Sequence, residues 1–282
     1  MFDLEGFLSN RRSPVIMGIV NASGDSFSER GSSSADSALA RGLAHLDCGA
    51  DLLDIGGEST RPGAKETAGH LEMNRVLPVI RNLKKIHPEI VLSVDTRHGE
   101  VAKAALQAGA EIINDVSMLR HSPEIADMAA EYGAALIISH SRSTPEHMND
   151  AEFCFYPDGV AAMVADELLQ AREKALSAGV KAGNIMLDPG FGFAKNAEQC
   201  WELLVELEKI SPLSKMLVGV SRKSFLGEVS GEKDPARRSG ETLAVELFLA
   251  SRGIGMIRTH AVRELHNALM VMDKLRSMMT NA

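Results

Sequence analysis

The sequence has few cysteines, and their spacing argues against a disulfide framework or a cysteine metal cluster. The three cysteines of the 282-residue chain are Cys48, Cys154 and Cys200, and no C-x-x-C pair is present. Small secreted domains that depend on disulfides carry many more. We therefore interpret all three as free thiols of a reducing compartment. The first 14 residues place acids before arginines and lack a long apolar stretch, so we expect no signal peptide and a cytoplasmic location.

Long apolar runs and an excess of basic residues are also missing. No segment approaches the roughly 20 consecutive apolar residues that a membrane-spanning helix needs. The formal net charge is -8, which disfavours the phosphate backbone of nucleic acids as the main ligand. We expect neither a membrane nor a nucleic acid as a partner. Any anion site has to be built locally, from arginines and backbone N–H groups.

Several common active-site motifs are absent from the sequence. There is no G-x-S-x-G, no phosphate-binding Gly-Lys-Ser/Thr loop and no G-x-G-x-x-G after a strand. No cluster of histidines and cysteines has zinc spacing. His140 and His147 are seven residues apart with nothing to complete a site, and we interpret His140 as a structural histidine.

Apolar segments rich in β-branched residues alternate with longer helical patterns, which predicts eight β-then-α units. A chain of this length with eight such units favours a single-domain (β/α)8 TIM barrel over residues 1–282, with residues 1–13 as an N-terminal extension outside the barrel. An open doubly wound sheet is the alternative, but it would place ligands at one switch point. The predicted strands are Val15–Val20, Leu52–Ile55, Val91–Val94, Glu111–Asn114, Leu136–Ser139, Ile185–Leu187, Leu217–Val220 and Met256–Arg258. The helical patterns lie near 34–48, 68–86, 98–108, 123–131, 159–178, 197–209, 236–252 and 262–278.

Polar residues stand where these apolar strands end, and this recurrence is the main clue to function. Because the carboxyl ends of barrel strands share one face, the side chains at those ends form a site there. The strand-end residues are Asn21, Asp54, Asp95, Asn114, His140, Asp188, Ser221 and Arg258.

Two groups of these residues suit different parts of one ligand. Two carboxylates and an amide, Asp95, Asn114 and Asp188, can bind a flat heterocycle with several N–H donors. A cationic group suits an anion, since arginine forks to oxygens and lysine acts as a point charge. Asn21 could give an oxygen to a Mg²⁺ ion held mainly by ligand phosphates. The alternative is that single acids cap helices and the cations are solvated surface charges. The cationic group is Arg61, Arg222, Lys223, Arg258 and His260.

Seven motifs in order along the chain resemble those of the dihydropteroate synthase family. The resemblance runs from residue 15 to about residue 275. It implies a (β/α)8 barrel, a homodimer, and condensation of 6-hydroxymethyl-7,8-dihydropterin diphosphate with 4-aminobenzoate, in the presence of Mg²⁺. The motifs are GIVNASGDSF, DIGGESTRPGA, SVDT, INDV, LDPGFGF, GVSRKSFLG and IRTH.

The resemblance also implies roles for individual residues, with catalysis assigned to Asp95, Asn114, Asp188, Lys223 and Arg258. Pterin binding falls to Asp95, Asn114, Asp188 and Lys223, and metal binding to Asn21. The diphosphate and its Mg²⁺ fall to Asn21, Thr60, Arg61, Arg258 and His260. The aminobenzoate pocket comprises Thr60, Pro62, Phe193, Lys223 and Ser224, and Gly219 is assigned to the substrate site as well.

The chain departs from the usual pattern of this family at five positions. They are Gly24 in place of proline, Glu29 in place of aspartate, Ser139 and Ser141 in place of methionines, and Ala261 in place of aspartate. From these changes we hypothesise an altered turnover rate and sulfonamide response. Two alternatives stay open: a catalytically silent pterin-binding paralogue, and a methyltetrahydrofolate-dependent corrinoid methyltransferase.

Overall fold

Eight parallel strands form a closed barrel in the computed structural model, which describes residues 1–9, 11–22, 34–61, 63–212 and 215–280. Each strand pairs with its neighbours in sequence, and β8 closes the ring against β1. The predicted (β/α)8 barrel is confirmed. The strands are β1 Val15–Asn21, β2 Leu52–Gly56, β3 Val91–Asp95, β4 Ile112–Asp115, β5 Ala135–Ser139, β6 Ile185–Asp188, β7 Lys215–Val218 and β8 Met256–Thr259.

Helices follow the strands and cover the outside of the ring. The eight helical patterns predicted from the sequence all correspond to helices, whereas α1 and α8 are too short to give a periodic signal. Among the described residues, no helix combines the length and apolarity that crossing a lipid bilayer requires. The helices are α1 Leu4–Leu8, α2 Ser34–Asp47, α3 Gly69–Ile86, α4 Gly99–Gln107, α5 Ile125–Tyr132, α6 Val160–Ser177, α7 Ala197–Val205, α8 Ser224–Ser230, α9 Ser239–Ser251 and α10 Val262–Thr280.

Strand β7 lies two residues earlier than the sequence predicted. It spans Lys215–Val218, not Leu217–Val220. Its first residue, Lys215, is exposed, so the apolar pattern that marks a buried strand begins late. Beyond Val218 the chain already turns, since the Lys223 N–H donates to the Val220 carbonyl oxygen at 3.1 Å. The turn therefore brings Lys223 close to the end of the strand.

Inward-facing positions of the barrel change from apolar to polar along most strands. Strand side chains alternate between the two faces. An inward apolar residue is therefore followed two positions later by an inward polar one, as in Leu52 and Asp54, or Met256 and Arg258. The lower layers form one apolar cluster, and the uppermost layer is polar. The apolar cluster comprises Leu4, Val15, Met17, Leu52, Ile112, Ala135, Ile137, Met186, Leu217 and Met256.

The N-terminal segment closes the floor of the barrel. It belongs to no barrel strand, yet Leu4 is fully buried among the inward side chains of the lower layer. The Leu4 N–H donates to Asn184 Oδ1 at 3.1 Å, and Asn184 Nδ2 donates to the Phe2 carbonyl oxygen at 2.8 Å. These bonds fasten α1 to the turn that precedes β6. The floor is therefore sealed, and ligands have access at the opposite, carboxyl-terminal face.

Candidate active site

Arg258 is the centre of the polar layer at the carboxyl-terminal face. Its Nε donates to Asp54 Oδ2 at 2.6 Å, and its Nη2 donates to Asp95 Oδ2 at 2.6 Å. One guanidinium on β8 thus joins carboxylates on β2 and β3. Asp54 and Asp95 are buried, so these charge-assisted hydrogen bonds are only weakly screened by water.

A chain of hydrogen bonds continues this layer to β4, β5 and β6. Asn114 Nδ2 donates to Asp54 Oδ2 at 3.1 Å. The Ser139 hydroxyl lies 3.4 Å from both Asn114 Oδ1 and Asp188 Oδ2, and its single proton can serve one of them at a time. The structure thus brings the predicted acid and amide residues together in one mouth. Ser139, where the family usually has methionine, is the hydroxyl that links them.

Burial sets the electrostatics of this mouth. It raises the pKa of Asp95, and the neighbouring Asp54 raises it further, against the opposing charge of Arg258. Burial likewise raises the pKa of Asp188. For Arg258, burial lowers the pKa, but Asp54 and Asp95 more than offset that effect, so the guanidinium stays charged. The carboxyl oxygens of Asp95 and Asp188 accept hydrogen bonds, so the mouth suits a ligand rich in N–H donors.

The turn after β6 fixes Asp188 and is held from below by a buried lysine. The Gly190 N–H donates to Asp188 Oδ1 at 2.8 Å. Lys195 is buried, and its Nζ contacts the carbonyl oxygens of Gly190 and Phe193 at 3.1 and 3.0 Å. Burial lowers the pKa of Lys195 to about 7. Lys195 therefore positions the turn that carries Asp188 and Phe193, a role that the sequence did not reveal.

His140 is a structural histidine, as the sequence predicted. It is fully buried, with Nδ1 2.9 Å from Lys195 Nζ and Nε2 3.2 Å from Glu167 Oε2. Burial and the charge of Lys195 lower its pKa to about 3, so the ring is neutral. Lys195 then donates to Nδ1, and the Nε2–H donates to Glu167.

Lys223 lies over the turn after β6. Its Nζ is 4.2 Å from the centroid of the Phe193 ring, a cation–π distance. Burial lowers the pKa of Lys223 to about 8, against the opposing charge of Asp188. Gly219 faces Arg258, and Ser224 is exposed at the start of α8. These predicted residues border the same mouth from the β7 side.

A group of cations surrounds His260 after β8. The Ser221 hydroxyl lies 3.1 Å from the His260 backbone nitrogen and 3.0 Å from its Nδ1. Burial lowers the pKa of His260 well below its usual range, and the charges of Arg222 and Arg258 lower it further, with a smaller effect of Arg61. Positive charge is therefore concentrated at this side of the mouth, as an anion site requires.

Arg222 holds its place in this group through an unusual backbone conformation. Its φ of 62° lies in the left-handed region that residues with a side chain rarely adopt. The Arg222 N–H donates to Thr242 Oγ1 at 3.1 Å, and its carbonyl oxygen accepts from Arg238 Nη1 at 2.9 Å. Residues in such conformations cluster at functional sites. Arg238 and Thr242 were not predicted, because their contribution is made through the backbone of another residue.

The remaining predicted residues lie at the rim or outside the described parts of the chain. Asn21 ends β1 and is half-buried, as is Thr60, whereas Arg61 is exposed. Pro62, Gly24 and Glu29 lie outside the described residues.

Two further positions that depart from the family pattern bind locally. Ser141 is buried and donates to the Ser143 carbonyl oxygen at 2.9 Å, and the Ala261 N–H donates to Thr259 Oγ1 at 3.0 Å. Asp54 and Ser221 were recognised as strand-end residues, but only the structure places them in the site.

Comparison with known proteins gives a consistent assignment. The family profile described as pterin binding enzyme matches residues 17–260. The dihydropteroate synthase of Mycobacterium leprae is 39% identical over 264 residues, which cover 91% of each chain. The structure of Xanthomonas albilineans dihydropteroate synthase with 4-aminobenzoic acid matches with a TM-score of 0.87 at 38% identity, covering 94% of this chain and 93% of that one.

A second solved structure matches over the same extent. Xanthomonas albilineans dihydropteroate synthase in complex with 7,8-dihydropteroate has a TM-score of 0.84 at 35% identity, and the match covers 94% of both chains. The relatives are 35–39% identical in sequence over almost the whole barrel. This similarity agrees with the polar layer of the mouth and the cations around His260. The chain belongs to the pterin-binding enzyme family, among the dihydropteroate synthases.

Proposed function

We propose that the barrel mouth catalyses the dihydropteroate synthase reaction. In this reaction 4-aminobenzoate replaces the diphosphate of 6-hydroxymethyl-7,8-dihydropterin diphosphate, giving 7,8-dihydropteroate. Relatives of this chain are named dihydropteroate synthase. The Xanthomonas albilineans enzyme has been solved in one structure with 4-aminobenzoic acid and in another with 7,8-dihydropteroate. The observation that carries the proposal is a single buried layer in which acids on β3 and β6 adjoin Arg258 on β8 and Lys223 after β7.

The pterin ring binds in the acid half of the mouth. Asp95 and Asp188 accept from the N–H groups of the heterocycle, and Asn114 both donates and accepts. Lys223 donates to a ring acceptor on the side of Phe193. Bonds to buried charged groups contribute about 1.5–3 kcal/mol each, enough for a neutral ring to be held without a covalent link.

The diphosphate binds beside Arg258 and His260. A guanidinium has five N–H donors, and Arg258 uses two of them on Asp54 and Asp95, so three remain for phosphate oxygens. Arg61 and Arg222 add positive charge from the rim, and Thr60 offers a hydroxyl. These groups stabilise the negative charge that grows on the diphosphate as it departs.

The aminobenzoate binds at the outer rim of the same mouth. Thr60 and Phe193 border the ring, and Lys223 and Ser224 lie toward its carboxylate. Pro62, which the resemblance also assigns to this pocket, lies outside the described residues. The bond between the pterin methylene carbon and the bridging oxygen breaks, and the diphosphate takes the electron pair. The arylamine nitrogen forms the new bond to that carbon and releases a proton. Catalysis rests on positioning and charge stabilisation, and no nucleophilic side chain is required.

Asn21, at the carboxyl end of β1, is a suitable ligand for Mg²⁺. Asn21 is half-buried there and presents an amide oxygen, a hard ligand of the type that Mg²⁺ prefers. Asn21 would hold the ion together with the diphosphate oxygens and water, next to the cations described above. Bound there, Mg²⁺ supplies charge neutralisation for the leaving group.

Turnover by the purified protein tests the function. The protein is incubated with the pterin diphosphate and radiolabelled 4-aminobenzoate, with Mg²⁺ or with a chelator. We expect labelled 7,8-dihydropteroate, in an amount that falls when the chelator is present. Pterin binding without product would indicate the silent paralogue. Methyl transfer in a separate incubation with methyltetrahydrofolate and a corrinoid acceptor would indicate the corrinoid enzyme.

A homodimer and a cytoplasmic location complete the proposal. Helix α10 exposes Met270, Val271, Leu275 and Met278, each about 60% accessible, which is typical of an interface. We expect sedimentation at twice the chain mass and a monomer for Leu275→Glu. A monomer at all concentrations for the unmodified protein would contradict the homodimer. The three cysteines are free thiols, as suits a reducing compartment.

A further inference from the structure

Two histidines that lie far apart in sequence meet on the barrel rim, outside the catalytic mouth. His98 follows β3 and precedes α4, and His121 lies in the connection between β4 and α5. His121 Nε2 is 3.2 Å from His98 Nδ1, and the rings meet edge to face. The exposed Glu66, in the connection between β2 and α3, has its Oε1 3.8 Å from the same His121 nitrogen. Three βα connections thus place one ligand atom each within 4.8 Å of one another.

We propose that Glu66, His98 and His121 form a binding site for a zinc-class divalent metal ion. Two imidazole nitrogens and a carboxylate oxygen are a common ligand set for Zn²⁺ when water fills the fourth position. Two nitrogens at 2.0–2.1 Å from a tetrahedral ion are roughly 3.3 Å apart, close to the spacing of the two histidines. Glu66 is an exposed side chain, so a small rotation brings its oxygen to the ion.

A buried carboxylate behind His98 is the independent observation that indicates a ligand. Glu72 on α3 is fully buried, and burial raises its pKa to about 8 against a weak interaction with the Thr96 hydroxyl. Among the described residues, neither of its side-chain oxygens has a partner at full hydrogen-bond geometry. Its Oε2 lies 3.8 Å from His98 Nε2, a buried nitrogen that is likewise without a partner. When His98 binds a metal through Nδ1, the proton must stand on Nε2, facing Glu72. This carboxylate–histidine–metal arrangement orients ligands in many zinc sites.

The surrounding charges allow a cation at this position. Arg97 is the nearby positive charge, with Nη2 3.6 Å from Glu66 Oε1. It is already neutralised by Glu58, whose two oxygens accept from Arg97 Nε and Nη2 at 2.9 and 3.0 Å. Burial lowers the pKa of His121, with smaller contributions from Arg97 and His98, which keeps the ring in the neutral form that binds metals.

The site would join the connection that carries Thr60 and Arg61 to the connections after β3 and β4. Glu66 lies five residues beyond Arg61, and His98 lies three residues beyond Asp95. A bound ion therefore holds part of the substrate rim without touching the substrate. Its ligands are mainly nitrogen, in contrast to the oxygen donors at Asn21, so the two sites take different metals.

Metal titration of the tag-free protein tests this site. The chelator-dialysed protein is titrated with Zn²⁺ against a chromophoric competitor, and Co²⁺ gives a visible spectrum of the bound state. We expect one Zn²⁺ per chain, a Kd at least tenfold weaker in His121→Ala, and a similar weakening in Glu72→Gln, which does not touch the ion. The matched control is His147→Ala, since His147 is also an exposed histidine beside a carboxylate, Asp150.

Other results of this titration would overturn the proposal. They are a Zn²⁺ affinity that His121→Ala leaves unchanged, or an equal loss in His147→Ala, which would mean that surface histidines bind adventitiously. The melting temperature of each variant without metal shows that it is folded, and saturating Zn²⁺ should raise that temperature in the parent and not in His121→Ala. None of these readouts depends on turnover, so the site and the proposed reaction fail or stand separately.

Discussion

Asp188 has a carboxyl group where an amide side chain of the same shape would satisfy the fold. Its Oδ1 accepts from the Gly190 N–H, a bond that an asparagine oxygen can also accept. Asp188→Asn should therefore fold, but it should bind pterin about 10- to 100-fold more weakly, since a bond to a charged acceptor is worth about 1.5–3 kcal/mol. Calorimetric titration with the pterin measures this. Asp150→Asn is the matched control on an exposed aspartate, and an unchanged affinity in Asp188→Asn would refute the assigned role.

The lowered pKa of Lys223 predicts that activity and stability change in opposite directions as the pH rises. Burial lowers its pKa to about 8 in the folded protein, against about 10.4 in an unfolded chain. Above pH 8 the free enzyme loses this charge, so kcat/KM should fall. Between these two values the unfolded chain binds more protons, so the contribution of Lys223 to stability rises with pH.

A charge-preserving variant tests this assignment of the alkaline limb. Lys223→Arg stays protonated to far higher pH. We expect it to lower kcat/KM at neutral pH and to move the alkaline fall upward, in steady-state profiles from pH 6 to pH 10. Urea unfolding at the same pH values serves as the control for denaturation. An alkaline limb that remains near pH 8 in Lys223→Arg would assign it to another group.

The residues that the sequence identified are those at the strand ends, and the residues it missed act through other residues. A polar residue that interrupts an apolar strand is visible in the sequence, as Asp95 and Asn114 show. Lys195, Arg238 and Thr242 bind backbone atoms of neighbouring turns, and a lysine or threonine after a strand gives no signal of that role. The sequence shows Ser139 only as the loss of a methionine, whereas the structure places its hydroxyl within 3.4 Å of both Asn114 and Asp188.

At the scale of one element, the turn after β6 depends on Gly190. Its φ is +67°, and a Cβ at this position would overlap the His140 carbonyl oxygen. Gly253 has a similar φ of +75°, with nothing within 4 Å of a Cβ. Gly253→Ala should cost about 1 kcal/mol for the left-handed conformation alone.

The two glycine substitutions together separate conformation from close approach. Gly190→Ala should cost about 3 kcal/mol or more, because the turn must also move away from His140. It should weaken pterin binding as well, since Asp188 moves with the turn. Urea unfolding gives both free energies. Equal losses in Gly190→Ala and Gly253→Ala would show that the approach to His140 carries no cost.

Elements were predictable from the sequence when their pattern was long. Helices α3 and α6 have 18 residues each and were found nearly complete, whereas the seven residues of α8 were not. The start of β7 was missed because Lys215 is exposed. The pairing of His98 with His121 could not be predicted either. The two residues are 23 positions apart, which is not a zinc spacing, and they meet only because the barrel closes.

At the scale of the whole molecule, the apolar core and the substrate site lie at opposite ends of the barrel axis. The alternation of inward residues puts apolar layers at the floor and the polar layer at the mouth, and α1 seals the end that binds no substrate. The barrel class followed from the eight repeated units of the sequence. The role of α1 in the floor did not, because the 14 residues before the first strand give no evidence of where they pack.

This division predicts that stability and catalysis can be changed separately. Leu4→Ala leaves a cavity in the floor and should cost about 2–5 kcal/mol, because Leu4 is fully buried and its removal takes apolar contacts from the barrel side chains. The KM values for both substrates should stay within about twofold at 25 °C, since the mouth is at the opposite end. Urea unfolding and steady-state kinetics measure the two effects.

The control for this prediction is Leu71→Ala, at a position with 46% exposure, and it should leave both stability and KM unchanged. A change of KM in Leu4→Ala that matches its loss of stability would mean that floor and mouth are coupled, and the barrel would then act as one mechanical unit.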